Sequence, residues 1–222
     1  MLKYMGIIIS FHGGSILNLI FKKYSYLMVK LFVTQCIISL LGFILALSSL
    51  QIGIQAISIA LAVFSIGFYM FLIYITTWEC GSKDMPAIEA GRAKRSVFTG
   101  LVIGLGASIP NFVLAIIYAG TLPFATADSL HPVEALSTVC GISLSVMNFI
   151  NGMYSSLMSM IKIGGTAINQ FWWTYFLLPI PAIIITTIAY MLGSKEIHFT
   201  KLLLPLTPED MEIKREKKNQ RK

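Results

Sequence analysis

Three carboxylates, Glu79, Asp84 and Glu89, fall within one short stretch that also holds Trp78, Lys83 and Arg92. Carboxylates this close can share acid and base roles in a hydrolytic or transfer reaction, provided that the fold brings two of them to one substrate. The stretch reads Trp78-Glu79-Cys80-Gly81-Ser82-Lys83-Asp84 and then Glu89-Ala90-Gly91-Arg92. It would serve equally as a docking surface for a partner or charged substrate, or as a salt-bridged turn between two helices. Without geometry the three readings stay open, and no residue is assigned a catalytic role.

Other chemistry has less to stand on. The sequence has no GxSxG elbow, no HExxH pair and no GxxxxGK[ST] phosphate loop. Cys36, Cys80 and Cys140 form no CxxC pair, and His12, His131 and His198 are scattered. Neither a disulfide framework nor a metal site is expected, and no cofactor motif is present.

The elements that must position these residues are apolar helices. Of 222 residues, 56% are hydrophobic and only 12% charged, about half the charged share of a typical soluble domain. The mean hydropathy is +0.77. Lipid is the natural solvent for such a chain. A crossing helix needs roughly 20 apolar residues, and four stretches supply them: 26–47, 55–75, 98–118 and 171–192. The expectation is an all-α integral membrane helical bundle of four transmembrane helices, or five if 133–163 also crosses. Residues 1–193 form a single domain in this reading.

Charge sets the orientation, because cytoplasmic segments are enriched in Lys and Arg. Lys3, Lys22, Lys23 and Lys30 precede or begin the first span. Lys83, Arg92, Lys94 and Arg95 lie between spans two and three, and eight more cations follow the last span. With four crossings, all of the basic residues but Lys162 share one side. Both termini are then cytoplasmic. Trp172 and Trp173 would mark the outer interface; Tyr24, Tyr26, Tyr74, Trp78 and Tyr190 would lie near the inner one.

Two segments need separate treatment. A crossing at 133–163 would put the basic tail outside, and Asn148, Asn151 and Gly152 interrupt its middle, where unpaired amides are costly in lipid. An outer re-entrant or interfacial hairpin is expected there. Residues 5–20 contain His12, Gly13 and Gly14 and lack a small-residue cleavage site. An interfacial amphipathic helix is expected there rather than a signal peptide.

Within the third span, Gly100, Gly104 and Ser108 recur every four residues. Small residues so spaced make a helix-packing face in membranes. Pro110 should kink the helix near Gly106, with Asn111 placed to satisfy the freed groups. Pro179 and Pro181 invite the same reading in the last span. No carboxylate lies inside a span, so a proton-coupled relay is not expected. Gln35 and Asn111 are the strongly polar residues within, and hydrogen bonds inside the bundle account for them. The basic tail, 194–222, would attract anionic lipid headgroups; it carries no nucleic-acid recognition motif.

Trp78-Glu79-x-Gly81-x-x-Asp84 with Gly91-Arg92 resembles a pattern in small polytopic membrane proteins of Firmicutes. The stretch Gly100-Leu101-x-x-Gly104-x-x-Ala107-x-x-Pro110-Asn111 resembles it too, as do Pro179-x-Pro181, Tyr190-x-Leu192-Gly193 and the basic tail. That group has no assigned function. The resemblance implies a bacterial plasma membrane and no activity.

Taken together, the sequence points to a non-enzymatic accessory or assembly component of a larger membrane complex. The alternatives are a homo-oligomeric channel or transporter for a neutral or apolar solute, packed through Gly100, Gly104 and Ser108, and a membrane enzyme acting on lipid.

Overall fold

Long apolar runs give long helices even across internal Gly and Pro, and the computed structural model shows them. It describes residues 2–92, 97–125 and 134–195. Helix α1 (Leu2–Ile52) turns at Gly53 into α2 (Gln55–Glu89), and α3 (Val97–Ala125) follows. Then come α4 (Glu134–Ile150), a 3-10 turn (Gly152–Tyr154) and α5 (Ser155–Met160). A small hairpin of β1 (Lys162–Ile163) and β2 (Thr166–Ala167) leads to α6 (Thr174–Leu177) and α7 (Ile180–Gly193). The hairpin is antiparallel, with Lys162 opposite Ala167.

Four helical stretches are long and apolar enough to cross a membrane: Ile20–Ser49, Gln55–Glu89, Val97–Ala125 and Thr174–Gly193. Only 22% to 39% of each apolar window is buried within the chain, so most of its surface is left for lipid. Val29, Val33, Ile37 and Ile44 on α1, with Phe64, Phe68 and Phe71 on α2, lie on that exposed surface. The chain is an integral membrane protein, as its composition requires.

The fold corrects the expected boundaries in three places. First, α1 is continuous through Gly13 and Gly14, so the N-terminal stretch is helical but not a separate helix. At 1.5 Å per residue its length is about 75 Å, well over twice a hydrocarbon core of roughly 30 Å. Second, α2 does not end near residue 75. It runs on to Glu89, so the Trp78–Asp84 stretch is helix and not a loop. Hydropathy falls there, yet the helical period persists: the buried positions Tyr69, Ile73, Thr77, Gly81 and Asp84 continue one stripe. The helix stops after Pro86, where Gly91 takes φ 70°. The Arg92 amide reaches back to the Ala87 carbonyl at 2.9 Å and the Gly91 amide to Ile88 at 3.1 Å, the double bond of a Schellman cap. Third, α3 continues through Pro110 as one helix, and the last span, read as a single stretch 171–192, is interrupted between α6 and α7 at Leu178 and Pro179, where a proline kink is also expected.

The segment expected to be a re-entrant or interfacial hairpin is sharply bent. Ala135–Ile150 and Gly152–Met160 are two limbs bent by 76°. The tip reaches the middle of α1, where a Cβ on Gly152 would come within 2.6 Å of the Ser39 carbonyl oxygen. Gly42 faces Met153 just beyond. From there α5 climbs back, and Ser156 and Ser159 line a groove with Ser49, Gly53 and Ser58 at the α1–α2 turn. That return toward the α1–α2 turn is the course of a re-entrant loop, and it leaves four other stretches long and apolar enough to cross.

At the tip the buried amides satisfy each other. Asn111 Nδ2 donates to Gln35 Oε1 at 3.0 Å, and Gln35 Nε2 donates to Asn111 Oδ1 at 3.3 Å. Gln35 Nε2 also lies 3.5 Å from both the Ile150 carbonyl and Asn151 Oδ1. Asn151 Nδ2 donates to Met147 O at 3.0 Å, and the Ser39 hydroxyl donates to Ile150 O. Asn111 is thus spent on Gln35, not on the carbonyl freed by Pro110. Replacing Gln35 with leucine strands Asn111 in the interior, and the expected loss is about 1–2 kcal/mol of stability. Thermal unfolding in detergent would read it. Gln35→Leu with Asn111→Leu should cost less than the two separate losses added, because neither amide is then orphaned.

Candidate functional site

The seam between α2 and α7 explains Gly81, the glycine of the Trp78–Asp84 stretch. A Cβ on Gly81 would strike the carbonyl oxygen of Tyr190, and a Cβ on Gly193 would strike that of Trp78. The two backbones touch where each helix presents its glycine. Ala189 and Tyr190 are buried on the same face of α7. Close approach of this kind is how membrane helices associate when the surrounding lipid is as apolar as their side chains.

The third helix adds to this seam. A Cβ on Gly100 would lie 2.9 Å from Thr187 Cα, and one on Gly104 would lie 3.0 Å from Ile183 Cα. Ser108 is buried, with its hydroxyl returned to the Gly104 carbonyl at 2.9 Å. The face of Gly100, Gly104 and Ser108 turns inward, and α7 of the same chain covers its glycines. An oligomer would have to use a different surface. Pro110, two residues beyond Ser108, continues α3 and is half-buried.

One turn beyond Gly81, the same stripe delivers Asp84 into the bundle, 9% exposed. Its carboxylate is held from two other helices. Tyr190 of α7 donates its hydroxyl to Oδ2 at 2.9 Å, and Tyr24 of α1 donates to the same oxygen. Lys23 Nζ meets Oδ1 at 2.7 Å. The two phenols lie 3.3 Å apart at oxygen, with rings edge to face at 6.2 Å. Lys23 Nζ also stands 4.9 Å from the centre of the Tyr24 ring, within cation–π range. Hydrogen bonds to an ionised carboxylate are roughly twice as strong as neutral ones. The group fastens α1, α2 and α7 together at one end of the bundle.

The other residues of the stretch do not join this clasp. Successive steps of five residues turn a helix by about 140°, so Glu79, Asp84 and Glu89 cannot share a face. Glu79 is exposed and pairs with Lys83 at 2.7 Å, one turn along α2. Glu89 is exposed at the last residue of α2, and Arg92 is exposed in the turn after it. Trp78 is half-buried, with its carbonyl against Gly193. The structure therefore brings Asp84 together with residues that charge and hydropathy did not group with it: Lys23, Tyr24 and Tyr190. It also corrects the expectation that the crossing helices hold no carboxylate, since Asp84 is buried near the end of α2. Lys94, Arg95 and the tail beyond Lys195 lie outside the described residues. Among the described residues, no three or more His, Cys, Asp or Glu side chains gather as a metal site.

Beside the clasp, a groove of about 290 Å³ opens between α1 and α2. Lys23, Lys30, Glu79, Lys83 and Asp84 supply its charges, and Tyr26, Leu27 and Thr76 its walls.

Fold and site together define a multi-span helical membrane protein with an inter-helical carboxylate clasp at Asp84. Compared with known protein families, curated proteins and solved structures, the chain matches none.

Proposed function

We propose that this chain is a non-enzymatic component of a larger membrane assembly, residing in a bacterial plasma membrane with both termini in the cytoplasm. One observation carries the reading. At the clasped end, Asp84 is turned inward and fully engaged, while Glu79, Lys83, Glu89 and Arg92 stand exposed on the same helix and its cap. A hydrolytic site needs two carboxylates free to act on one substrate. Glu79 and Asp84 border the same groove, but each is already paired, Glu79 with Lys83 and Asp84 with Lys23 and the two phenols. This end presents a rigid platform with both signs of charge outward. The interior amides are likewise occupied with each other. The bias of basic residues supports a cytoplasmic position for the platform.

The test is cross-linking in the native membrane, mild-detergent purification and mass spectrometry, on the wild type and on Glu89→Lys with Arg92→Glu. A stoichiometric second protein in the wild type, lost from the charge-reversed chain, is the expected result. Both positions are exposed, so the variant should unfold at the wild-type temperature. Recovery of the wild-type chain alone would end the assembly reading.

A further inference from the structure

We propose that the groove between α1 and α2 beside Asp84 binds the phosphate of an anionic phospholipid. This inference does not depend on the assembly role. Three ammonium groups, Lys23, Lys30 and Lys83, border the groove against two carboxylates, Glu79 and Asp84, which leaves one positive charge over. The ion pairs identify it. Lys23 is paired with Asp84 and Lys83 with Glu79. Among the described residues, Lys30 has no ion-pair partner.

Lys30 stands seven residues after Lys23, so it lies about 10 Å further along α1, toward the middle of the bilayer. It is exposed, and so are its neighbours Val29 at 60% and Val33 at 47%. An ammonium on an apolar, lipid-facing surface must send its stem back toward the headgroups. Glu79 shares the groove but is bonded to Lys83, so the further anion available at that level is a lipid phosphate. Lys83 offers a second ammonium from the α2 wall. Its side chain is 73% exposed, and its single bond to Glu79 leaves two of its three donors for an oxygen ligand. Tyr26, 80% exposed at the rim, adds a phenol. The choline of a zwitterionic lipid would bring a cation to a site already in surplus, so the groove favours a headgroup with net negative charge.

The test is native mass spectrometry of the full chain in non-ionic detergent, with phosphatidylglycerol, phosphatidylcholine or inorganic phosphate added in turn. One phosphatidylglycerol should bind in preference to phosphatidylcholine. Lys30→Gln should weaken it about fivefold, the effect of one lysine at a headgroup surface. Lys162→Gln, at the opposite end of the bundle, should leave it unchanged. Equal retention of the two lipids would overturn the proposal, as would undiminished binding to Lys30→Gln. Binding of inorganic phosphate as tight as that of the lipid would assign the site to the free anion. Loss on neutralising Lys217 and Lys218, with Lys30→Gln unaffected, would assign the lipid to the tail. Lys30 is exposed and touches no part of the clasp, so Lys30→Gln should keep the wild-type unfolding temperature.

Discussion

Gly81→Leu will drive α2 away from α7 and lower stability by about 3 kcal/mol or more. Overpacking ordinarily costs 1–3 kcal/mol because neighbouring side chains shift to make room. Here the neighbour is the Tyr190 carbonyl, with the Ser194 amide 3.0 Å from the same point. Backbone held inside a helix cannot change rotamer, so the strain must be relieved by parting the helices. That parting also pulls Tyr190 from Asp84 and costs the carboxylate one of its donors. Thermal unfolding in detergent should show a large drop in midpoint or no folded protein at all. Gly81→Ala gives the graded version, milder but in the same direction, and survival of either variant at the wild-type midpoint would refute the contact. A leucine at Gly67, whose Cβ would meet nothing within 4 Å, is the control that should leave the midpoint almost unmoved.

Asp84→Ala is expected to cost about 2–4 kcal/mol. Two phenolic hydroxyls lose a charged acceptor, worth roughly 1.5–3 kcal/mol apiece before the bond remaining between them is counted. The Lys23 contribution is small, because its side chain is 54% exposed and exposed pairs are worth little. That difference gives a discriminating comparison. Lys23→Gln should shift the unfolding midpoint by a small fraction of the Asp84→Ala shift, whereas Tyr190→Phe should fall between them. If Lys23→Gln proves as damaging as Asp84→Ala, the ion pair and not the phenols holds the end of the bundle. Asp84→Asn keeps an acceptor oxygen and removes the charge, so it should recover part of the loss.

The four crossings were legible because hydropathy and helix length answer the question alone: a stretch such as 98–118 is too apolar for anything but lipid or core. The re-entrant segment was legible for a related reason, since Asn148, Asn151 and Gly152 are unfavourable in a simple span. The end of α2 was not. Glu79, Lys83 and Asp84 lower the hydropathy, and that signal hid the stripe Tyr69, Ile73, Thr77, Gly81, Asp84, which keeps helical spacing into the polar region. Reading the period rather than the polarity would have carried the helix on and turned Asp84 inward. The face of Gly100 and Gly104 was visible in its spacing, but spacing cannot say which helix will cover it. Gln35 and Asn111 were each conspicuous as amides inside spans. Their pairing depends on the relative height of two helices, which local sequence does not encode. Tyr24 and Tyr190 read naturally as interfacial aromatics; their second role follows only from a carboxylate delivered between them.

The clasp also imposes an order on biogenesis. Tyr24 and Lys23 leave the ribosome 60 and 61 residues ahead of Asp84, whereas Tyr190 follows it by 106. A nascent chain can therefore join its first two helices as soon as the hairpin has entered the bilayer. The notch at Gly81 stays vacant until the final helix arrives. Until then, the unfinished protein shows the insertion machinery a bare strip of α2 backbone and a half-coordinated carboxylate. A chain truncated before residue 190 never gains the Tyr190 bond to Asp84 and keeps the notch at Gly81 open.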